Sequence, residues 1–214
     1  MNDENLDIYD EKVNKIGVEL RQEVHKKGYW HKTFQCWIIS QSGDKRYVHF
    51  QKRGPHKTIC PNKLDITAAG HLLTGETFED GIRELNEELG LDIKFNEIIP
   101  LGMRCNVAIV GEYIEREFSE VYLCECNTPL NEYKLKIEEV AGVVKIEINE
   151  GMKLFSGEIE KCQGIGFFID EDGKKTESVC EIKADDAIQC LDRYYLKIMI
   201  MAERYFNNQQ YLAI

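Results

Sequence analysis

The sequence predicts an α/β fold in which a mixed sheet is held between helices. Three observations lead there. Aromatic and β-branched runs at 33–39 (TFQCWII) and 46–51 (RYVHFQ) read as strands. A short amphipathic helix follows, with Leu85 and Leu89 four residues apart on one side. Strand-like segments return at 101–110, 118–126 and 143–148, and strands flanking an internal helix form a sheet covered on its faces.

Taken in order, residues 7–17 (DIYDEKVNKIG) begin as a short strand entering a turn. Gln41, Ser42, Gly43 and Asp44 make the turn between the first two long strands. Residues 64–68 form a small strand running into Gly70, and a further helix starts at Asn149 with Glu150 near its beginning. Phe167–Ile169 and Ser178–Cys180 flank Asp170-Glu171-Asp172-Gly173, which reads as a hairpin turn. A long helix is expected from Asp185 to Asn207, because Ile188, Leu191, Tyr195, Ile198, Ala202 and Tyr205 recur at three and four residues. That helix is expected to pack back on the core. The alternative uses Tyr194, Tyr195, Met199 and Met201 as a dimer interface or as a wall of a substrate pocket. With no repeat and no low-complexity linker, the expected organisation is a main domain at 1–150, including an N-terminal hairpin, and an extension at 151–214 packed on it.

A chain of 214 residues with 43% hydrophobic and 30% charged residues can bury a sizeable core. A formal net charge of -11 argues against a nucleic-acid backbone as the main partner, since phosphate binding needs clustered Lys and Arg. No apolar stretch reaches the roughly 18–20 residues of a membrane span. The acidic start MNDENLDIYDEKVNK lacks the apolar region of a secretory signal. Eight cysteines are scattered without a CxxC pair, so free thiols in a reducing cytoplasm are the expectation.

The chemistry concentrates between Gly70 and Leu91. Glu84, Glu87 and Glu88 stand at i, i+3 and i+4 on the predicted helix, where like charges repel. A hard divalent cation removes the penalty, and Mg²⁺ or Mn²⁺ with carboxylate oxygens commonly shares such sites with substrate phosphates. Gly90 just past the last periodic residue is a C-cap. Upstream, Gly70-His71-Leu72-Leu73-Thr74-Gly75-Glu76 is a glycine-flanked loop whose backbone carbonyls can add a ligand. A solvated acidic helix face would explain each glutamate singly, but not this company.

The segment resembles the Nudix box, G-x5-E-x7-R-E-U-x-E-E-x-G-U with U aliphatic. Gly70, Glu76, Arg83, Glu84, Glu87, Glu88, Gly90 and Leu91 take its places. The resemblance implies an α/β/α sandwich, with the C-terminal hairpin and long helix as additions. It also implies metal-assisted hydrolysis of a diphosphate linkage. Glu84, Glu87, Glu88 and the Gly70 carbonyl would hold Mg²⁺ or Mn²⁺, Glu84 or Glu87 would serve as base, and Glu76, Arg83 and Gly90 would be structural. One departure stands out: six residues, Thr77 to Ile82, separate Glu76 from Arg83 where the family has seven. The helix ligands keep their spacing, and the expectation is that Glu76 or Arg83 must be re-aimed.

A second resemblance narrows the branch. Asp7-Ile8-Tyr9-Asp10, the run from Tyr29 to Ile39, and Gln51-Lys52-Arg53 are similar to the branch that includes type I isopentenyl-diphosphate isomerases. Those enzymes carry a catalytic Cys in a Cys-Gly-His segment, and here the segment is Ala69-Gly70-His71. Their second catalytic group is a Glu in a Glu-x-Glu segment on a later strand, matched by Glu115-Arg116-Glu117. Glu117 is therefore a candidate ligand or base outside the box, against the plainer reading of an exposed strand glutamate. Arg53, Lys52 and Arg104 are candidates for holding phosphate oxygens, or are surface charge. His31 and His71 flank the metal in the related isomerases, although a lone histidine is more often a structural hydrogen-bonding residue. Three readings stay open. They are a hydrolase of a nucleoside diphosphate derivative or other organic diphosphate, an isomerase of isoprenoid diphosphates, and a non-catalytic ligand-binding module. The partner in each is a small molecule, with neither nucleic acid nor membrane, and a homodimer stays open because many relatives are dimers.

Overall fold

The computed structural model describes residues 4–170 and 172–214, so 1–3 of the acidic start and Glu171 of the expected turn lie outside the described residues. The chain opens with a hairpin of β1 (Asn5–Tyr9) and β2 (Lys15–Leu20). Asp10 turns it, its Oδ1 accepting the amides of Lys12 and Asn14 at 2.9 and 2.8 Å. A seven-residue helix, α1 (Arg21–Lys27), follows and ends at Gly28 with φ 66°. This helix was not expected, because it buries only Val24 and His25 and so shows no apolar period.

Nine strands then build one mixed sheet: β3 (His31–Ser42), β4 (Lys45–Arg53), β5 (Leu64–Asp65), β6 (Ala68–His71), β7 (Ile99–Val110), β8 (Tyr113–Glu125), β9 (Val140–Glu147), β10 (Lys161–Ile169) and β11 (Lys175–Lys183). Their order is β11-β10-β9-β4-β3-β8-β7, with β5 on β4 and β6 on β3. Among the described strands only the β3–β8 pair runs parallel, with Leu123 opposite Trp37 at its centre. The middle strand divides its far edge: Ile39–Ser42 pair with β4, while Thr33–Cys36 pair with β6. That division brings Gly70 and His71 onto the sheet beside His31 and Thr33.

Helices cover both faces. On one, α3 (Ile148–Ser156) and α4 (Tyr194–Phe206) pack over Trp37, Ile39, Val48, Phe50, Val144 and Ile146. On the other, Leu85 and Leu89 of α2 (Arg83–Leu89) pack over Phe34, Cys36, Ile38 and Val143. Because both faces are buried, β3 is enclosed from Thr33 to Ser40 with no alternation of buried and exposed residues. The expected small strand at 64–68 is two strands, β5 and β6. Among the described residues no helix is long and apolar enough to cross a membrane. All eight cysteines carry free thiols, three of them buried and Cys105 exposed.

The C-terminal helix starts nine residues later than its period suggested. Residues 184–186 make a single 3₁₀ turn, Leu191 is fully exposed, and Arg193 sits at φ 56°, a left-handed conformation that interrupts any helix. From Tyr194 the pattern holds, and Tyr194, Tyr195, Ile198, Met199 and Ala202 are buried in the main core. The tyrosine–methionine stripe thus packs inward. Asp170 closes the β10–β11 turn by accepting the amides of Asp172 and Lys174.

One buried base sets an acid limit on this fold. His49 on β4 is enclosed, sharing hydrogen bonds with Ser40 Oγ (2.8 Å) and Tyr133 OH (3.3 Å), and burial pushes its pKa down to about 3. The unfolded chain takes up a proton there near pH 6.5, so this contribution is present above about 6.5 and lost as pH falls toward about 3, at up to about 1.4 kcal/mol per pH unit. His49→Gln should flatten the fall in Tm between about pH 6 and pH 4. An unchanged slope in thermal melts across that range would refute the assignment.

Candidate active site: two ligand clusters joined by one strand

The short loop-to-helix junction is absorbed locally. Asp80–Ile82 form a 3₁₀ turn directly ahead of α2, and Gly81 lies against β3, where a Cβ would come within 2.5 Å of Phe34 Cβ. Despite the shorter junction, Glu76 and Arg83 meet. Arg83 Nε donates to Glu76 Oε1 at 3.1 Å and Nη2 to Oε2 at 3.0 Å, while Glu76 Oε2 also accepts the Leu73 amide. Arg83 Nη2 further donates to the His71 carbonyl at 3.1 Å, tying the helix to β6. Gly90, at φ 70°, ends α2 in the left-handed conformation that favours glycine.

The acidic side of α2 does not face water. Glu84 and Glu88 are buried against β6, whereas Glu87 stays half exposed and pairs with Arg83 at 3.5 Å. Glu88 Oε2 accepts the Ala69 amide at 3.2 Å. Glu84 bonds to Arg83 and occupies the space above Gly70, where any Cβ would overlap its carboxylate. Burial raises both pKa values. Glu88 rises furthest, pushed further by the charges of Glu84 and Glu139, while Arg83 opposes the rise in Glu84. Three further side chains complete the setting, none singled out as a site residue by the sequence. Gln51 lies 3.5 Å from Glu88 Oε2, and Lys57 donates to Glu139 at 2.9 Å. Burial raises Glu139, but Lys136 and Lys57 overcome it and hold the group at about 2. Lys57 and Glu139 sit in loops, where no period marks them.

A second cluster stands on the next residue of β6. His71 meets His31 of β3 and His25 of α1, with ring centroids 5.0 to 5.1 Å apart. Glu115 Oε2 lies 3.3 Å from His25 Nε2. Ligand atoms of His25, His31 and His71 fall within 4.8 Å of one another, as do those of His31, Glu115 and Glu117. The backbone fixes the tautomers of two rings. His25 Nδ1 donates to Arg21 O at 2.7 Å and His31 Nδ1 to Tyr29 O at 3.1 Å, which turns both Nε2 lone pairs into the cluster. His31 Nε2 is buried with no hydrogen-bond partner, and His25 Nε2 lies 3.2 Å from His71 Nε2. Carbonyl-anchored imidazoles aimed at one point beside two carboxylates fit a divalent cation of the Mn²⁺, Fe²⁺ or Zn²⁺ type. Burial lowers the pKa of His31 to about 4 and lowers that of His71, keeping both in the neutral form that ligates. His25 moves up because Glu115 outweighs its burial, and Glu115 moves down in return.

Glu117 is held from behind. Burial and the charge of Glu115 push it up to about 7, and Asn106 Nδ2 donates to its Oε2 at 3.0 Å. Arg104 then donates to Asn106 Oδ1 and, by two bonds of 2.9 and 3.0 Å, to Asp192. The Arg104 guanidinium stacks 3.9 Å from the Tyr194 ring. Arg53 donates to Asp65 through Nη1 and to the Ile59 carbonyl through Nε and Nη2, so three of its five N–H groups are held by the protein. Lys52 projects over Phe168, 5.3 Å from the ring centroid.

No family model matches the chain. It is 41% identical over 202 residues to an uncharacterized Nudix hydrolase of Clostridium acetobutylicum, covering 94% of this chain and 98% of that protein. It is 26% identical over 122 residues to isopentenyl-diphosphate Delta-isomerase 2 of Photorhabdus laumondii, covering 56% of this chain and 66% of that protein. Its fold is similar to that of the DR0079 protein of Deinococcus radiodurans, at a TM-score of 0.56 and 20% identity over 72% of this chain and 90% of the other. A relative matched along nearly its whole length, together with the box between Gly70 and Leu91, makes this chain a member of the Nudix hydrolase superfamily, on a branch similar to the isopentenyl-diphosphate isomerases.

Proposed function

We propose that the protein is a Mg²⁺- or Mn²⁺-dependent hydrolase of a diphosphate linkage in a nucleoside diphosphate derivative or another organic diphosphate. The observation that carries this reading is the burial of two carboxylates against β6, Glu84 over Gly70 and Glu88 at the Ala69 amide. Two carboxylates withdrawn from water and raised in pKa fit a hard divalent cation, which restores the ionised form. Glu84, Glu87 and Glu88 would hold that cation with the Gly70 carbonyl. When bound, it would supply Lewis-acid polarisation of phosphoryl oxygens. Glu87 is half exposed, so it can accept the proton of an attacking water, while Lys57 neutralises charge on the phosphate. Glu117 serves as a further base or ligand on the histidine side. The substrate is a small molecule, and eight free thiols suit the reducing cytoplasm.

Glu87→Gln should lower metal-dependent phosphate release by about 10²–10⁴-fold, as for loss of a positioned acid or base. The panel would comprise nucleotide sugars, ADP-ribose, dinucleoside polyphosphates, nucleoside triphosphates and isopentenyl diphosphate. Activity that persists in the variant would sink the assignment. The histidine cluster favours a second reading, an isomerase-like enzyme, which Ala69 opposes: a methyl group stands where that branch carries its catalytic sulfur, and it has no proton to give.

A further inference from the structure

Beyond the two clusters, the sheet carries a flat aromatic platform at its other end. Lys52 of β4, Gly142 of β9, Phe168 of β10 and Thr176 of β11 stand opposite one another in register, making a single row across four strands. Side chains in such a row share one face. The Phe168 ring does not stand up from it. It lies down over two glycines: a Cβ on Gly142 would come within 2.5 Å of the ring, and a Cβ on Gly166 would overlap it. Bare backbone on both sides is what lets a phenyl ring rest flat on a strand.

Above this row is a cavity of about 540 Å³, lined by Lys52, Asn62, Ile137, Phe168, Asp170 and Thr176. The volume falls in the range of sites for small organic ligands, roughly 300–1,000 Å³. Its lining also includes Pro55 and Glu138, which stand two residues from Lys57 and one from Glu139 in the chain, the pair whose charges act on Glu88 of the box. We propose that this cavity is the specificity pocket for the nucleoside moiety of the substrate, with the base stacked on Phe168 in place of the Lys52 ammonium that lies 5.3 Å over the ring. The inference rests on the hydrolase reading for the position of the diphosphate, at the box.

The lining chooses between the two organic groups left open. A prenyl chain has no hydrogen-bonding atoms, so seating it here would strip water from the Lys52 ammonium, the Asn62 amide, the Asp170 carboxylate and the Thr176 hydroxyl without replacement. A nucleoside offers a flat π face for Phe168, donors and acceptors along its base edge, and ribose hydroxyls for the carboxylate and amide. Ile137 and Ala141 supply the apolar contact that a base also needs.

The test separates binding from turnover. AMP, GMP, CMP and UMP are titrated by calorimetry into the full chain in EDTA, with isopentenyl diphosphate alongside. At least one nucleotide should bind, and Phe168→Ala should weaken it about tenfold or more, the scale of one lost base–aromatic stack. Gly166→Ala, which lifts the ring without removing it, should weaken the same nucleotide while leaving the polar lining intact. Phe168→Trp keeps a flat ring, so its fluorescence should be quenched on nucleotide addition, whether or not the alanine variants fold. The proposal falls if none of the four nucleotides binds at millimolar concentration, if both variants bind like the parent, or if isopentenyl diphosphate is lost in parallel. No turnover is read, so failure here leaves the Glu87 result untouched, and an inactive parent that still binds nucleotide through Phe168 would fail only the hydrolase reading.

Discussion

Glu88→Gln should give a protein that is more stable without metal and nearly inert with it. The wild-type carboxylate is enclosed, close to Glu84 and Glu139, and its pKa is raised well above 4.5. A raised folded pKa means the folded state holds the proton more tightly. The associated stability is therefore complete below the unfolded value near 4.5, and it is lost as pH rises toward the folded value. Glutamine keeps the shape and the acceptor for the Ala69 amide but never ionises. Metal-free Tm should rise above wild type at neutral pH, and the rise in Tm that Mg²⁺ gives the wild type by mass action should vanish. Loss of a metal contact worth several kcal/mol in the transition state corresponds to about 10³-fold in kcat. Melts with and without Mg²⁺, followed by phosphate release, check all three. A variant that is less stable than wild type without metal would contradict the burial argument.

Gly70→Ala is expected to be nearly as damaging through one added methyl group. A Cβ at this position would overlap the Glu84 carboxylate, and the backbone of β6 is fixed by its pairing with Phe34. Glu84 must therefore leave, taking its bond to Arg83 with it. Overpacking of this kind costs about 1–3 kcal/mol in stability. Metal affinity should fall together with stability, in contrast to Glu88→Gln, where the two move in opposite directions. Mg²⁺ titration and a urea melt on the same sample distinguish the cases. Wild-type metal affinity in Gly70→Ala would show that Glu84 is not a ligand.

How much of this could be read beforehand depended on how local each feature is. Helical spacing alone groups Glu84, Glu87 and Glu88, because i, i+3 and i+4 meet on any helix. What spacing could not reveal is that β6 runs past that face and buries two of the three. His31 and His71 were identifiable by likeness, but His25 was not. It reaches them only because the β1–β2 hairpin and the Gly28 turn fold α1 over β8, where Ile114 leaves no room for a side chain at Gly28. Helical periodicity runs through 188–193 by coincidence, and a single left-handed Arg193 overrules it, so α4 starts only at Tyr194. Lys57 and Glu139 come together from loops 82 residues apart, a pairing that no local pattern carries.

The bond between Arg104 and Asp192 joins residues 88 positions apart, which gives the site an order of assembly. During synthesis β7 and β8 emerge first, carrying Glu115, Glu117 and a guanidinium destined for burial. Until the segment containing Asp192 and Tyr194 follows, Arg104 has neither its carboxylate nor its stacking ring, and Asn106 has nothing to aim it at Glu117. The three histidines can gather as soon as β8 has emerged for α1 to pack on, well before Asp192 is made. A nascent chain therefore acquires its imidazoles well before it acquires a fixed Glu117. Damage to the last tenth of the polypeptide, far from the box in sequence, reaches the chemistry through this one arginine.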